Sequence, residues 1–353
     1  MPNSNASIAT SRSSFRHRLI AWFRLHQEKL WWLHSLYALI LGIGIMWLGK
    51  RNFSYLRLVV FHISFIWLSS LLLPKLLNHP RLPVPWAPRL RLLVNFLNKN
   101  LYQQMLFFVL PIYYASATLV SRNIAFVLLV GLSAALSTLD VIYDRHLSVK
   151  RGLTAVFFAF NVFALINVML PILWSVSNTL ATRVSAVLAC LGFLSLYYPM
   201  SQSKIRRQAL AFGTGILILG LAELGRPFIP PAPLRLASVE FGREFDKDSL
   251  RILSPLTEPQ PNQPFRLYGV ASIQAPLGLT ERVRHRWYQN GKLIFASPFY
   301  NIVGGRAEGF RLWTSFSFNA LASGTKLRLD LETEGGQLIG RAGLKTAVSS
   351  KSG

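Results

Sequence analysis

The order of apolar and polar residues divides the 353-residue chain into two parts that meet near Arg226. Before Arg226, long apolar stretches alternate with short basic connections. After Arg226, short segments alternate apolar and polar residues with a period of two, which is typical of β-strands. The pattern therefore predicts an apolar helical part followed by a β domain.

Seven apolar stretches in the first part are each close to the ~20 residues that a helix needs to cross about 30 Å of hydrocarbon. They lie at 31–49, 56–73, 102–120, 123–141, 153–174, 182–198 and 208–225. We therefore predict a membrane α-helical bundle of about seven transmembrane helices, with six to eight as the range. A small all-β antiparallel sandwich is expected to follow this bundle.

Composition also sets expected boundaries between these regions. Residues 1–30 are basic and amphipathic, which suits a helix lying on anionic lipid, and residues 31–226 would form the bundle. Residues 227–234 are proline-rich and are expected to be a semi-rigid linker. The sandwich is expected at 235–347 and a disordered tail at 348–353.

The charge balance points to a membrane and away from nucleic acid. Charged residues make up 15% of the chain, whereas soluble domains contain about 25%. The net charge of +24 could suit nucleic acid, but most of the excess lies in short connections between apolar stretches, as in positive-inside topology. We therefore expect the lipid bilayer as a partner and no nucleic acid.

The Lys and Arg counts of successive connections predict an orientation. From the N-terminal segment onward they are 5, 3, 5, 1, 3, 1 and 3, which favours a cytoplasmic N-terminus. With seven spans, the β domain would lie outside the cytoplasm. An error of one span would place it on the other side.

The β domain shows a clear hairpin signal. Asn290-Gly291 separates two β-patterned runs, and both positions of such a turn need positive φ. In the strand before it, Val283, His285 and Trp287 are expected to face inward. With a two-residue turn, Arg286 should face Phe295 and Tyr288 should face Leu293. Further strands are expected at 235–244, 264–274, 309–318, 326–332 and 337–345.

The outward face of the strand before this turn carries the candidate binding residues. They form one predicted patch of Arg282, Arg284, Arg286, Tyr288, Arg311 and Trp313. One interpretation is a site for an anionic envelope ligand, such as lipid headgroups or a glycan. The other, which we favour, is an ordinary solvated strand face, since exposed strand faces are normally charged.

Polar residues within the apolar stretches are candidates for transport or catalysis. Asp140 and Asp144 are four residues apart on one helix face, and His146 follows them. They could form a proton or cation site, or they could be a helix end at the headgroup level with local ion pairs, which we favour. Glu223 lies three residues before Arg226, so local pairing is expected there.

No residue pattern indicates a cofactor, a metal site or a catalytic group. Cys190 is the single cysteine, so neither an internal disulfide nor a cysteine-based metal site is possible. The histidines are scattered without metal-ligand spacing. Whether the chain is an enzyme stays open, and we favour the interpretation that it is not.

Four short motifs in the β domain together resemble a known family. They are His285-x-Trp287-Tyr288, Asn290-Gly291, Phe310-Arg311-x-Trp313-x-Ser315 and Gly336-Gln337-Leu338-Ile339-Gly340. This set resembles the bacterial domain family of unknown function DUF2914, over roughly residues 280–346. The part before it resembles an uncharacterised bacterial membrane family that carries this domain. The resemblance implies an inner-membrane protein with a periplasmic β domain, and it implies no reaction.

The sequence therefore predicts an integral inner-membrane protein that presents an extracytoplasmic β-sandwich. This sandwich would bind or scaffold an envelope component, which could be a protein, an anionic lipid or a glycan. The alternative is a transporter or intramembrane enzyme that uses the polar helix end around Asp140 and Asp144, with the β domain as an accessory.

Overall fold

The computed structural model describes residues 40, 105–139, 150–197, 204–260 and 262–347. Within these ranges five helices precede the strands, and they are numbered here from the first one described. They are α1 Met105–Ala115, α2 Ile124–Thr138, α3 Arg151–Trp174, α4 Asn178–Tyr197 and α5 Lys204–Leu224. A 3-10 turn, Arg226–Phe228, connects α5 to the β domain.

The prediction of seven membrane-spanning helices is wrong. Within the described ranges only Gly152–Trp174 of α3 and Asn178–Tyr197 of α4 are long and apolar enough to cross a membrane. The described residues of the stretch predicted at 102–120 include α1, which ends at Ala115, and those of the stretch predicted at 123–141 include α2, which ends at Thr138. At ~1.5 Å per residue, the 15 residues of α2 cover about 22 Å, less than the hydrocarbon thickness.

Several predictions fall on residues that the structure does not describe. The segment 1–30, the stretch 56–73 and, apart from residue 40, the stretch 31–49 lie outside the described ranges. The same holds for Asp140, Asp144 and His146.

α3, α4 and α5 pack side by side with alternating direction. Only three residues separate α3 from α4, and Gly192 of α4 lies so close to α3 that an added Cβ would be 2.8 Å from the Phe158 ring. Glu223 at the end of α5 contacts Arg183 in the second turn of α4 at 2.7 Å. The end of α3, the start of α4 and the end of α5 therefore lie together.

Ten strands follow the helices in the described part of the chain. They are β1 Arg235–Gly242, β2 Phe245–Asp246, β3 Arg251–Ile252, β4 Phe265–Gln274, β5 Thr280–Gln289, β6 Lys292–Ala296, β7 Tyr300–Val303, β8 Phe310–Phe318, β9 Lys326–Thr333 and β10 Leu338–Lys345. One sheet has the order β1-β4-β8, and the other has the order β10-β9-β5-β6 with β7 also paired to β5. β2 and β3 form a separate hairpin, and every pairing is antiparallel.

The two large sheets pack face to face, which confirms the predicted β-sandwich. Leu327, Leu329 and Leu331 are buried between the sheets, as the strict alternation of β9 predicts. Gly269 of β4 allows close packing, because an added Cβ would lie 2.8 Å from Leu329 and 2.9 Å from Trp287 of the opposite sheet. One apolar core therefore joins the sheets.

The Asn290-Gly291 hairpin forms as predicted, with φ of 50° and 85°. Tyr288 pairs with Leu293, also as predicted, but Arg286 faces Ala296 and not Phe295. A β-bulge between Trp287 and Tyr288 shifts the register by one residue and places Trp287 opposite Phe295. The predicted register assumed an uninterrupted ladder, which a bulge does not preserve.

Candidate functional site

The outer face of β5, β9 and β10 collects charged side chains that we call the arginine face. It consists of Arg282, Arg284, Arg286, Arg328 and Arg341 with the acids Asp330, Glu332 and Glu334. The strand order β10-β9-β5 brings these residues together, because alternate residues of neighbouring strands share a face.

Glu332 bridges two of the predicted binding residues. Its Oε1 lies 2.6 Å from a guanidinium nitrogen of Arg284, and its Oε2 lies 3.1 Å from Nη1 of Arg286. Glu332 is itself mostly buried by these contacts. Arg282 forms the next pair along the strand, with Glu334.

Asp330 holds the other half of the arginine face. Arg341 donates to both of its carboxylate oxygens at 2.7 and 2.9 Å, and Nε of Arg328 lies 3.2 Å away. Asp330 raises the pKa of Arg341 above its ordinary value, because the carboxylate stabilises the charged guanidinium. With five arginines and three carboxylates, the face carries two positive charges in excess.

Two aromatic rings support the guanidinium groups. The Phe299 ring lies 4.6 Å from Arg284 and 5.5 Å from Arg282. Tyr288 lies 4.0 Å from Arg328 and 5.4 Å from Arg286. Such cation–π contacts orient the planar guanidinium groups, so the arginine face is a preorganised surface.

Arg311 and Trp313 lie on the other sheet, so the single predicted patch is divided in two. β8 pairs with β4 and not with β5. Trp313 packs against Phe245 at 4.7 Å between ring centroids. Arg311 donates to the Ser249 carbonyl at 2.9 Å and to Glu308 at 2.8 Å. Alternation along one strand cannot reveal which sheet a distant strand will join.

A buried polar contact joins the sandwich to the helices. Glu281 of β5 is only 5% exposed, and its Oε2 accepts hydrogen bonds from the backbone N–H of Asn178 at 2.7 Å and from its Nδ2 at 3.1 Å. Asn178 is the first residue of α4, where backbone N–H groups lack partners within the helix. Glu281 therefore caps α4 from another domain.

Burial raises the pKa of Glu281 above its ordinary value, and the hydrogen bonds from Asn178 oppose this rise. Desolvation disfavours the charged form of a carboxyl group, whereas N–H donors and the positive end of the helix dipole favour it. Glu281 is thus a titratable group held in the contact between the two parts of the chain.

A chain of buried hydrogen bonds, the polar column, continues from Asn178 into the helices. The Thr182 hydroxyl lies 2.8 Å from the Asn178 carbonyl and 3.0 Å from Oδ1 of Asn167 in α3. Asn167 in turn donates to the Tyr113 hydroxyl of α1 at 3.1 Å, and Tyr113 donates to the Ala164 carbonyl at 2.8 Å. The column therefore links three helices to Glu281.

The contact between the helices and the Glu281 end of the sandwich is called the junction here. Besides the bonds between Glu281 and Asn178, it contains three further hydrogen bonds. Asn123 donates to the Leu338 carbonyl at 3.1 Å. Gln337 donates to the Ile229 carbonyl at 3.1 Å, and Arg341 donates to the Val120 carbonyl at 3.1 Å. Each contact involves the β10 strand or the turn before it.

His285 is buried as predicted, with 0% exposure, but its hydrogen bonding is incomplete. Its Nδ1 lies 2.8 Å from the Thr314 hydroxyl, which also accepts a bond from Trp287 Nε1 at 2.9 Å. Its Nε2 has no hydrogen-bond partner among the described residues, and burial lowers the pKa of His285 to about 3. A hydroxyl beside an imidazole is the arrangement of an activated nucleophile, but burial of both groups in the sandwich core leaves no access for a substrate.

The remaining predicted residue within the described ranges is Glu223. It pairs with Arg226 at 2.8 Å, as predicted, and also with Arg183 at 2.7 Å. Among the described residues, no three His, Cys, Asp or Glu side chains come together as a metal site would require.

Sequence reasoning missed Glu281 and the polar column. One signal was available, since Glu281 shares the inward face of β5 with Val283, His285 and Trp287. A carboxylate on a buried strand face needs a partner. Its partner, however, is 103 positions away in the chain, and local patterns contain no information about such a contact.

Two family models match the chain. The model described as "Family of unknown function (DUF5924)" matches residues 12–259, which is more than two thirds of the sequence. The model described as "Protein of unknown function (DUF2914)" matches residues 280–343, which confirms the resemblance drawn from the hairpin motifs. None of the curated proteins matches the chain. The chain therefore belongs to the family of unknown function DUF5924 and carries a DUF2914 region at its C-terminal end.

Proposed function

We propose that this chain is a bacterial membrane protein that holds its β-sandwich on the extracytoplasmic surface, where the arginine face binds an anionic envelope component. The observation that carries the proposal is the junction. It fixes the sandwich, through buried hydrogen bonds, to one end of helices that include the candidate spans α3 and α4.

The surfaces of α4 and α5 support contact with lipid. Large apolar side chains are exposed along both helices, namely Leu180, Val187, Leu188 and Leu191 on α4 and Ile205, Phe212, Ile216, Leu217 and Leu221 on α5. Apolar surface in water costs about 25 cal/mol per Å² relative to burial. A soluble chain would bury such stripes, whereas a bilayer covers them without a protein partner.

The charges at the two ends of the helices support the orientation. Among the described residues, the basic ones at the end away from the sandwich are Lys150, Arg151, Lys204, Arg206 and Arg207. At the sandwich end, the helix ends and the turns between them contain three, Arg122, Arg183 and Arg226. The positive-inside rule therefore favours a cytoplasmic far end and an extracytoplasmic sandwich. Because the junction identifies which helix ends meet the sandwich, the orientation follows without knowing the total number of spans.

The arginine face supports an anionic ligand. The face carries two positive charges in excess, and Phe299 and Tyr288 already orient four of its five guanidinium groups. Arginine binds carboxylate and phosphate groups through paired N–H donors, and preorganised donors lose little entropy on binding. A polymer with repeated acidic groups would meet several of these arginines at once.

The orientation can be tested with single cysteines in a Cys190→Ala background. Leu293→Cys lies at the hairpin turn of the sandwich, and Lys150→Cys lies at the far end of the helices. In cells with a permeable outer membrane, a membrane-impermeant maleimide should label Leu293→Cys, and it should label Lys150→Cys only after the inner membrane is opened. The reverse labelling pattern would refute the proposed orientation.

Binding can be tested with the full-length protein in nanodiscs of zwitterionic lipid. The probe is a fluorescent oligogalacturonate, and wild type is compared with the double variant Arg282→Gln/Arg328→Gln. The matched control, Arg243→Gln/Arg266→Gln, removes two arginines near the other sheet. We expect salt-sensitive binding that only the first variant weakens, by about 10-fold for two lost charged contacts at ~0.7 kcal/mol each. Equal weakening in both variants would show a general charge effect and contradict a site on the arginine face.

A further inference from the structure

We infer that the helix ends beneath the sandwich form a collar that binds phospholipid headgroups. The collar consists of the exposed residues Tyr114, Leu119, Val120, Trp174 and Phe228 with the basic residues Arg122, Arg183 and Arg226. The inference rests on the proposed function, because it requires α3 and α4 to cross a membrane. It adds where the bilayer surface lies and which residues contact it.

The apolar side chains of the collar lie outside both protein cores. Val120 is 82% exposed and Trp174 is 66% exposed, although both occupy the side of the helices that faces the sandwich. Val120 is in the turn between α1 and α2, whereas Trp174 is the last residue of α3. Tryptophan and tyrosine favour the boundary between hydrocarbon and water, because their rings are apolar and their edges are polar.

The basic side chains of the collar outnumber its acids. Glu223 is shared by Arg183 and Arg226, and it is the only carboxylate that the described residues pair with the collar's three arginines. The side chain of Arg183 remains 58% exposed. Arg122 lies 6.0 Å from the Phe228 ring, so an exposed cation and an exposed apolar ring lie side by side. This pairing suits a phosphate group above an acyl chain.

The length of α4 places the collar at the level of the headgroups. Its 20 residues cover about 30 Å at ~1.5 Å per residue, which matches the hydrocarbon thickness of a bilayer. If hydrocarbon covers the exposed face of α4, the headgroups lie at its two ends. The end next to the sandwich is the level of Trp174, Arg183 and Phe228. We therefore assign the bilayer surface, and no protein partner, as the occupant of the collar.

Spin labels on single cysteines can measure this depth in nanodiscs. In a Cys190→Ala background, the labelled variants are Val120→Cys in the collar, Leu188→Cys in the middle of α4 and Leu293→Cys at the sandwich turn. Access of oxygen and of a water-soluble nickel chelate should place Leu188 in the hydrocarbon, Val120 near the headgroups and Leu293 in water. A Val120 label with the same access as Leu293 would overturn the collar. A Leu188 label in water would instead refute the membrane anchoring on which the proposed function depends.

A second measurement tests the basic side chains. The protein is reconstituted with equal phosphatidylcholine and phosphatidylglycerol, and the lipid retained after detergent exchange is quantified. Wild type should be enriched in phosphatidylglycerol at least about 2-fold, because basic residues near the membrane surface attract anionic lipid. Arg122→Gln/Arg183→Gln should lose the enrichment, and Arg243→Gln/Arg266→Gln should keep it. Equal enrichment in both variants would overturn the role of the arginines. Displacement of the lipid by millimolar inorganic phosphate would overturn the bilayer as the ligand.

Discussion

The hydrogen bonds between Glu281 and Asn178 make the attachment of the sandwich depend on one side chain. Glu281→Ala removes the acceptor of two buried donors, the N–H and the Nδ2–H of Asn178. A buried donor without a partner costs about 1–3 kcal/mol, so the variant should weaken the junction by about 2–5 kcal/mol. Glu281→Gln keeps an oxygen that can accept both bonds and removes a charge that burial disfavours, so it should weaken the junction much less than Glu281→Ala.

The same side chain should make the junction depend on pH. Burial raises the pKa of Glu281 above its ordinary value, so the attached state favours the neutral acid. The stabilisation is fully present below the ordinary carboxyl pKa and is lost as pH rises through the raised pKa. The charge of Glu334 adds to the rise, and Arg226 lies on the helix side near Gly335. Glu281→Gln should remove this part of the pH dependence.

Hydrogen–deuterium exchange of the full-length protein measures both effects, because local opening of the junction exposes the backbone amides at the start of α4 and in the β9–β10 turn. A loss of 2 kcal/mol or more corresponds to about 30-fold faster exchange in Glu281→Ala. Exchange in Glu281→Gln should stay close to that of wild type. Glu240→Gln changes an exposed acid of β1 and is the matched control. Wild-type exchange in Glu281→Ala, or equal exchange in the Ala and Gln variants, would refute the reasoning.

Three further predictions concern the polar column, the sandwich core and the hairpin. Asn167→Ala leaves Tyr113 and Thr182 with one partner fewer, so thermal unfolding should show a loss of about 2–4 kcal/mol. Asn161→Ala removes a buried amide that has no hydrogen-bond partner among the described residues, so it should cost less, and equal losses would contradict the column. The pKa of His285 falls from 6.5 to about 3 on folding. The free energy of unfolding should therefore decrease as pH drops from 6.5 toward 3, by at most about 1.4 kcal/mol per pH unit. In acid-unfolding curves, His285→Gln should reduce this dependence on pH. Gly291→Ala adds a Cβ at a φ of 85°, and no described atom lies within 4 Å of that Cβ. Backbone strain alone should therefore lower the free energy of unfolding by about 1 kcal/mol, measured with denaturant. An unchanged denaturant midpoint would contradict this prediction.

The strands of the sandwich were predictable because their signals are local. A period of two marks each strand and assigns its inward residues, and the Asn290-Gly291 turn fixes its own hairpin. Sheet membership is not local, since β5 joins β9 and β7 while β8 joins β4. The patch expected from Arg286 and Arg311 therefore separated onto two faces. The acids that neutralise most of the arginine face are on β9, about 45 positions from the arginines of β5.

The helical part was less predictable, for a related reason. Hydropathy records how apolar a stretch is, but it does not record where a helix stops. Residues 116–120 are apolar enough to extend the stretch predicted at 102–120, yet the Ser121 and Asn123 side chains bond to each other and to the local backbone, which favours a turn over a helix. The stretch predicted at 102–120 therefore continues past the end of α1 at Ala115. Buried Asn167 bonds to two neighbouring helices through Tyr113 and Thr182.

The sandwich contains residues from both family regions. The DUF5924 match ends at residue 259 and the DUF2914 match begins at residue 280, but no structural boundary separates them. β1 belongs to the first region and pairs with β4. Leu234, just before β1, lies in the same buried apolar cluster as Leu331 and Ile339 of the second region. An added Cβ on Gly340 would overlap the Leu236 side chain, so the two regions are in tight contact. Because each region supplies part of one apolar cluster and Glu281 of the second caps a helix of the first, the two regions form one structural unit that is joined to the helices.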